Sequence, residues 1–255
     1  MHIFLINLYL LVAGVLAGLT SSMAGLASIV SYPVLLSLGV PPVNANVTNT
    51  AALVFTGVGS TVSSSRELLT HRSVTVKTTI IALVGGVVGS FILVLAPASS
   101  FERVVPFLIL FAGCLMLFSE RSSAKTVTVR QGRSLIARIV SAGAMFLVGL
   151  YTGYFGASAG VIMLAILMAT NNLTFAVNNA IKNFASFLAN FVAFVVYAFT
   201  TKIYWAMVVP LGIGLFIGGY VGPVLVRYIP AAIMRRVIIV MAFALGLYLF
   251  VQEYF

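Results

Sequence analysis

Long runs of apolar residues alternate with short polar stretches along the whole chain, which has 255 residues. Each run is roughly 15 to 22 residues long, which is typical of helices in a bilayer. The runs lie at about 3–22, 24–39, 43–64, 78–96 and 104–119, and then at about 135–155, 157–170, 174–200, 204–226 and 237–252. Only helices and closed barrels satisfy their backbone in lipid, and runs of this length favour helices. The pattern therefore predicts a polytopic helical bundle.

The composition agrees with a membrane environment. The chain is 62% hydrophobic and only 7% charged, with a mean hydropathy of +1.17, whereas a soluble domain carries about 25% charged residues. The net charge of +10 does not indicate nucleic acid here, because Lys and Arg collect in the loops that stay on the cytoplasmic face. We therefore predict an all-α, multi-pass integral protein of the cell (plasma or inner) membrane, with the lipid bilayer and not nucleic acid as its partner.

The two sets of five segments look like copies of one unit. With a shift of 131 residues, Gly18 and Gly25 align with Gly149 and Gly156. With a shift of 130 residues, the aligned pairs are Asn49 and Asn179, Thr56 and Ser186, and Ser60 and Asn190. The sequence therefore predicts a first membrane repeat at 1–119, a cytoplasmic linker at 120–134 and a second membrane repeat at 135–255. The second segment of each repeat is too short to cross comfortably, so we expect a short or re-entrant helix there.

The positions of Lys and Arg predict how the repeats are oriented. If each short segment forms a hairpin with the helix before it, all basic loop residues except Arg103 and Lys202 fall on one side. If each short segment instead continues its predecessor as a broken helix, the distribution is less one-sided. The positive-inside rule thus favours inverted repeats with both termini on the non-cytoplasmic side. Inverted repeats with interrupted helices are typical of transporters whose site lies near the midplane.

A polar stripe runs along one predicted helix of each repeat. Its members recur at intervals of three or four residues, which places them on one helix face. They are Asn179, Lys182, Asn183, Ser186 and Asn190 in the second repeat, and Asn46, Asn49, Thr56 and Ser60 in the first. One interpretation is that these groups hold helices together, and we favour it for Ser60, Ser186 and Asn190. The other is that the two stripes line a polar cavity.

Lys182 favours the second interpretation. An ammonium group at membrane depth costs at least ~2.5–3.5 kcal/mol. The chain has no Asp, and its Glu residues all lie at segment ends. A buried cation without a protein counter-ion suggests that the missing anion is the cargo. The alternative is that Lys182 snorkels to the interface from the first turns of its helix.

Two turns rich in glycine and hydroxyl groups are further candidates. They read "GLTSSMAGLAS" at 18–28 and "GLYTGYFGASAG" at 149–160. A chain break here would expose backbone N–H groups at the start of each short segment, and such groups bind oxyanions. The alternative is that the small residues serve close helix packing.

This arrangement resembles the sulfite exporter TauE/SafE family of bacterial permeases over nearly the whole chain. In the first repeat the resemblance rests on Gly25, on Pro33 in the short segment, and on the helix entry formed by Ala45, Thr48 and Asn49. In the second repeat it rests on Gly149, Gly153, Gly156, Gly160, Ala176 and Asn179. The chain departs from the family pattern in two places: the first turn reads "GLAS" where adjacent glycines are usual, and Leu164 replaces the second proline. The resemblance implies transport of small sulfur-containing anions such as sulfite, sulfonates or sulfoacetate.

The predicted substrate-binding residues combine the turns, the helix entry and the charged stripe. They are Ser21, Ser22, Gly25, Ser28, Thr48, Asn49, Thr152, Gly156, Ser158, Asn178, Asn179, Lys182 and Asn183. With them, we expect a secondary transporter, acting as an exporter by alternating access. The alternative is a passive channel for small anions with the same lining. Proton coupling would normally use a membrane carboxylate, so drive by the membrane potential or by protonation of the substrate fits better.

Other classes of function are not expected. Acid–base or metal chemistry needs His, Asp, Glu or Cys clustered at depth, but His2 and His71 lie near segment ends and Cys114 is the single cysteine. The sequence shows no metal-ligand spacing and no nucleotide-binding loop, so we expect no enzyme and no cofactor. The apolar surface would allow a homodimer, although no pattern specifies its interface.

Overall fold

The computed structural model describes residues 2–104 and 135–225, together with residues 106, 107, 110, 243, 247, 250 and 251. The predicted linker at 120–134 lies outside the described residues. So do most of the predicted segments 104–119 and 237–252.

The regular elements within the described ranges are all helices, which confirms the prediction of an all-α protein. The first part of the chain contains α1 (His2–Ala24), α2 (Ala27–Ser37), α3 (Pro42–Ser63), α4 (Ser65–Thr70) and α5 (Arg72–Leu95). The second part contains α6 (Leu135–Tyr154), α7 (Ala159–Thr170), α8 (Phe175–Thr200) and α9 (Trp205–Leu225).

Several of these helices have the length and surface of membrane spans. The segments that are long and apolar enough are Ile3–Ala24, Arg72–Leu95, Phe175–Thr200 and Trp205–Leu225. Large apolar side chains point outward from them, and Leu95 and Phe199 are 81% and 87% exposed. In a bilayer these apolar side chains contact lipid and not water, so their exposure on the surface of the bundle agrees with a multi-pass membrane protein.

The short segments are short helices, as predicted, and a glycine precedes each of them. We predicted starts near 24 and 157, whereas α2 begins at Ala27 and α7 at Ala159. The later starts have a backbone cause. Gly25 and Gly156 have φ angles of 77° and 73°, a left-handed conformation that ends the preceding helix and that glycine adopts without steric cost.

The stretch after α3 is more helical than predicted. The apolar pattern places the next helix at 78–96, but α4 intervenes and α5 already begins at Arg72. The polar residues at the start of α5 obscure this boundary in the sequence. A membrane helix can begin with such residues because its first turns reach the interface.

The helices of the two halves pack against each other reciprocally. Helix α1 packs along α9, and α5 packs along α6. Helix α9 also contacts α3, while α5 also contacts α8. One long helix from each half thus lies against two helices of the other half, while the repeat itself remains a prediction. The inverted orientation of the two units remains a prediction.

Glycines allow the closest of these contacts. A Cβ atom on Gly18 of α1 would lie 2.5 Å from the carbonyl oxygen of Leu215 in α9. In the other pair, a Cβ on Gly89 of α5 would overlap the carbonyl oxygen of Leu150 in α6. Backbones that approach this closely are typical of membrane helix pairs, which gain van der Waals contact through small residues.

We expect Gly18→Ala to lower the melting temperature of the detergent-solubilised protein. The new methyl group would meet rigid backbone of α9, and overpacking of this kind typically costs about 1–3 kcal/mol. Gly143→Ala in α6 is the matched control, because a Cβ there meets nothing within 4 Å and Ala favours a helix over Gly by roughly 0.5–1 kcal/mol. Equal melting temperatures for the two variants would contradict the close α1–α9 contact.

Candidate functional site

A cavity lies where α2 and α7 begin and where α3 packs on α8. Seven of the predicted substrate-binding residues line it: Ser21, Gly25, Ser28, Thr152, Gly156, Lys182 and Asn183. They come from both halves of the chain. The short helices, the glycine turns and the charged stripe therefore meet at one place.

Each glycine turn is hydrogen-bonded back to the last turns of the helix that precedes it. The N–H of Gly25 donates to the carbonyl oxygen of Ser21 at 2.6 Å, and the N–H of Gly156 donates to that of Tyr151 at 2.8 Å. The turns also touch the opposite half. A Cβ on Gly160 in α7 would lie 2.5 Å from the Cα of Gly25. The starts of the two short helices therefore meet backbone to backbone beside the cavity.

The N-termini of both short helices lack a side-chain cap. Leu26 and Ser158 occupy the N-cap positions of α2 and α7, and neither side chain accepts a bond from the first turn. Ser28 and Gly160, in the first turns of these helices, line the cavity. The N–H groups of Ile29, Ala159 and Val161 donate to nearby backbone carbonyls, and the first turn of each helix carries the positive end of its dipole. Together they form a setting that favours a bound anion.

Lys182 lies inside the bundle and does not snorkel to its surface. Its side chain is 1% exposed, and its Nζ donates to the carbonyl oxygen of Ser21 at 3.1 Å. That carbonyl belongs to the last turn of α1, where the negative end of the helix dipole stabilises a cation. An ammonium has three donors, so this one bond leaves donors for a ligand in the cavity.

Two asparagines hold the same end of α1. The Nδ2 atoms of Asn179 and Asn183 donate to the carbonyl oxygen of Ser22 at 2.8 Å and 3.0 Å. Helix α8 thus supplies three hydrogen bonds to the final carbonyls of α1, counting that of Lys182. The asparagine bonds satisfy the carbonyl of Ser22 at the end of α1, where helical partners run out, whereas the carbonyl of Ser21 also accepts the N–H of Gly25.

The charge of the site is positive. Among the residues that the structure describes, no Asp or Glu lines the cavity, whereas Lys182 does. Its hydrogen-bond partner is a neutral carbonyl. A cationic side chain, two helix N-termini and several hydroxyl groups without a facing carboxylate can compensate a small anion.

The other predicted residues lie behind the cavity wall and have structural partners. Asn178 Nδ2 donates to the carbonyl oxygen of Leu173 at 3.0 Å, and Ser22 Oγ donates to that of Gly18 at 2.8 Å. Thr48 Oγ1 accepts the backbone N–H of Tyr204 at 3.2 Å. Ser22, Thr48, Asn49, Ser158, Asn178 and Asn179 are not among the cavity-lining residues.

Asn49 supports a lining residue from behind. Its Nδ2 donates to Ser28 Oγ at 3.1 Å, and its Oδ1 accepts from Ser31 Oγ at 2.5 Å. Both serines belong to α2, so Asn49 of α3 fixes the rotation of the short helix whose first turn lines the cavity. Within the described residues, its aligned partner, Asn179, does not bind the short helix of its own half and instead donates to the end of α1.

Four polar residues that were not among the predicted substrate contacts also line the cavity: Thr56, Ser60, Ser186 and Asn190. They belong to the two polar stripes. Thr56 Oγ1 is buried without a hydrogen-bond partner in the described structure. The signal that could have selected them is their spacing from Lys182 and their pairing across the repeat alignment.

The cavity is small. Its volume is about 40 Å³, on a measure where one water needs roughly 10–15 Å³. It therefore has room for about three waters or one compact ion. Cofactors and drug-sized ligands occupy cavities that are far larger.

Comparison with known proteins places the chain among membrane transporters. The family model described as "Sulfite exporter TauE/SafE" matches residues 10–249. A "Probable membrane transporter protein ORF9" from Sinorhizobium is 23% identical over 94% of this chain and 90% of its own length. A "Probable membrane transporter protein" from Haemophilus influenzae is 26% identical over 90% of this chain and 89% of its own length.

A further relative has a similar name. The "Probable membrane transporter protein YfcA" of Escherichia coli is 23% identical over 89% of this chain and 83% of its own length. No solved structure matches the chain. The family and the names of the relatives indicate a membrane transporter and not an enzyme.

Proposed function

We propose that this chain, which belongs to the sulfite exporter TauE/SafE family, is a secondary transporter that exports a small sulfur-containing oxyanion. The observation that carries the proposal is the convergence of Lys182 and two uncapped helix N-termini on one cavity without a lining carboxylate among the described residues. Sulfite, which the family description names, has four heavy atoms and suits the size of the cavity.

In this proposal each lining group has one role. Lys182 compensates the charge of the anion. Ser28, whose oxygen accepts from Asn49, offers its hydroxyl hydrogen, and Asn183 offers the second N–H of its amide. Thr152 donates its hydroxyl hydrogen to the carbonyl oxygen of Val148 and contributes to the wall of the site. The turns at Gly25 and Gly156 lead into helices that offer backbone N–H groups. Behind them, Asn49 holds α2, Asn179 holds the end of α1, and Asn178 holds the connection that leads into α8.

We also propose that transport occurs by alternating access. Reciprocal packing of the two halves supports the proposal that each half provides one gate on either side of a shared site. We further propose inverted halves in the cell membrane, with both termini on the non-cytoplasmic side. Since no carboxylate lines the described cavity, drive by the membrane potential is preferred to an Asp or Glu proton relay.

The proposal is tested with purified protein in liposomes under anaerobic conditions. We expect saturable uptake of radiolabelled sulfite, with competition by a small sulfonate and weaker competition by chloride and sulfate. Preloading the liposomes with unlabelled sulfite should accelerate uptake of the labelled sulfite, because a carrier reorients towards the outside faster when it carries substrate. Saturable flux without counterflow would indicate the channel with the same lining, and no flux of any sulfur anion would contradict the proposed cargo.

A further inference from the structure

Phe187 is the one aromatic residue among the described residues that line the cavity. Phe187 of α8 lines the cavity and is half-buried. On its other side the ring joins a row of aromatic side chains, with a centroid distance of 6.3 Å to Phe191. Phe191 is 41% exposed on the outside of the bundle. Phe187 therefore contacts both the polar cavity and a row of aromatic side chains that continues to the outside of the bundle.

Gly57 of α3 provides the seat for this ring. A Cβ atom on Gly57 would lie 2.5 Å from both Cβ and Cγ of Phe187. The ring packs against bare backbone, which is as close as a side chain can approach the axis of α3. Gly57 also lines the cavity, so the contact between these two residues forms part of its boundary.

The position of the ring limits the available space. Lys182 lies five residues before Phe187 on α8, and Ser186 and Asn190 flank the ring on the same cavity surface. The volume is about 40 Å³, which holds roughly three waters. A compact oxyanion is of comparable size, so a longer substituent on sulfur would need space that Phe187 and the other lining residues occupy.

We propose that Phe187, seated on Gly57, sets the upper size limit of the anion, so that compact oxyanions bind and bulky organosulfonates do not. The inference rests on the proposed anion site and adds the residue that determines its selectivity. It also predicts an order of binding among the candidate substrates. Sulfite should bind better than methanesulfonate, and both should bind better than sulfonates with longer or aromatic substituents.

The first test is competition against sulfite uptake in proteoliposomes by methanesulfonate, ethanesulfonate and benzenesulfonate. For the wild type we expect inhibition to weaken with size. In Phe187→Ala, benzenesulfonate should inhibit at least tenfold better relative to methanesulfonate. Phe194→Ala is the matched control, because Phe194 belongs to the same aromatic row but does not line the cavity. A size profile unchanged in Phe187→Ala, or equally relaxed in both variants, would overturn the inference.

A second variant keeps the ring but removes its seat. Gly57→Ala must displace Phe187, so we expect its size limit to be relaxed as well. Melting temperatures of all variants in detergent separate loss of fold from loss of selectivity. A Gly57→Ala protein that is folded and active with the wild-type size profile would contradict the role given to the seat.

A labelling experiment distinguishes failure of this inference from failure of the proposed function. Cys114→Ser removes the single cysteine, and Asn190→Cys places a thiol on the cavity surface. We compare its reaction with methyl and benzyl methanethiosulfonates, which needs no transport. Phe187→Ala should accelerate the benzyl reagent at least tenfold relative to the methyl reagent, and Phe194→Ala should not. If no sulfur anion is transported, this ratio still supports or overturns the inference.

Discussion

Replacement of Lys182 with methionine is expected to abolish saturable anion flux. Lys182 is the one cation among the described lining residues of the cavity, and its charge is balanced by no facing carboxylate there. Loss of one partner from a buried charged interaction typically costs about 2 kcal/mol or more, which is roughly a 30-fold loss of binding. The measurement is the initial rate of sulfite uptake per reconstituted protein. Lys202→Met, which changes an exposed lysine stacked on Tyr204, should transport normally.

The same lysine also binds the end of α1, so charge and structure must be separated. Lys182→Gln keeps a donor that can reach the carbonyl oxygen of Ser21 but removes the charge. We expect it to retain more thermal stability than Lys182→Met while still losing flux. A glutamine variant with wild-type flux would assign Lys182 a purely structural role and move the anion site towards the glycine turns.

Replacement of Gly25 with alanine is expected to lower the stability more than Gly18→Ala, Gly39→Ala or Gly160→Ala. A side chain at its φ of 77° costs about 1–2 kcal/mol. The new Cβ would also overlap the backbone of Gly160, and overpacking adds roughly 1–3 kcal/mol. We expect a large fall in melting temperature together with loss of sulfite uptake, because the turn positions both short helices.

Two matched variants divide that effect into its causes. Gly39 has a similar φ of 78° but no atom within 4 Å of a new Cβ, so Gly39→Ala should show the conformational cost alone. Gly160→Ala tests the backbone contact without the left-handed conformation, because Gly160 is helical. If Gly25→Ala and Gly39→Ala lower the melting temperature equally, the contact between the two turns contributes nothing.

The sequence predicts the framework of this protein well because membrane helices follow hydropathy. The short helices, the glycine turns that precede them and the transporter class could all be inferred from apolar run lengths and local motifs. Boundaries were less accurate where polar residues belong to a helix, as at Arg72. Lipid requires an apolar centre but tolerates polar residues at the first turns, so hydropathy alone places that start too late.

The sequence does not predict which polar residues line the cavity and which only stabilise the ends of helices. Asn179 and Asn183 both donate to the carbonyl oxygen of Ser22, but only Asn183 reaches the cavity surface. Their spacing places both side chains on the buried face of α8. It does not predict which of them also reaches the cavity and which only donates to a backbone carbonyl. That depends on where α1 ends relative to α8, a contact between residues more than 150 positions apart.

The capping of α1 by α8 has a consequence for biosynthesis. The carbonyls of Ser21 and Ser22 emerge from the ribosome 161 residues before the Lys182 and Asn183 side chains that bind them. At about 5–20 residues per second, the end of α1 waits roughly 8 to 30 seconds for its partners. During that interval the carbonyl of Ser22 needs water or the insertion machinery, since lipid offers no donors, whereas the carbonyl of Ser21 already accepts the N–H of Gly25. The first half of the chain therefore lacks these hydrogen bonds until the second half is translated.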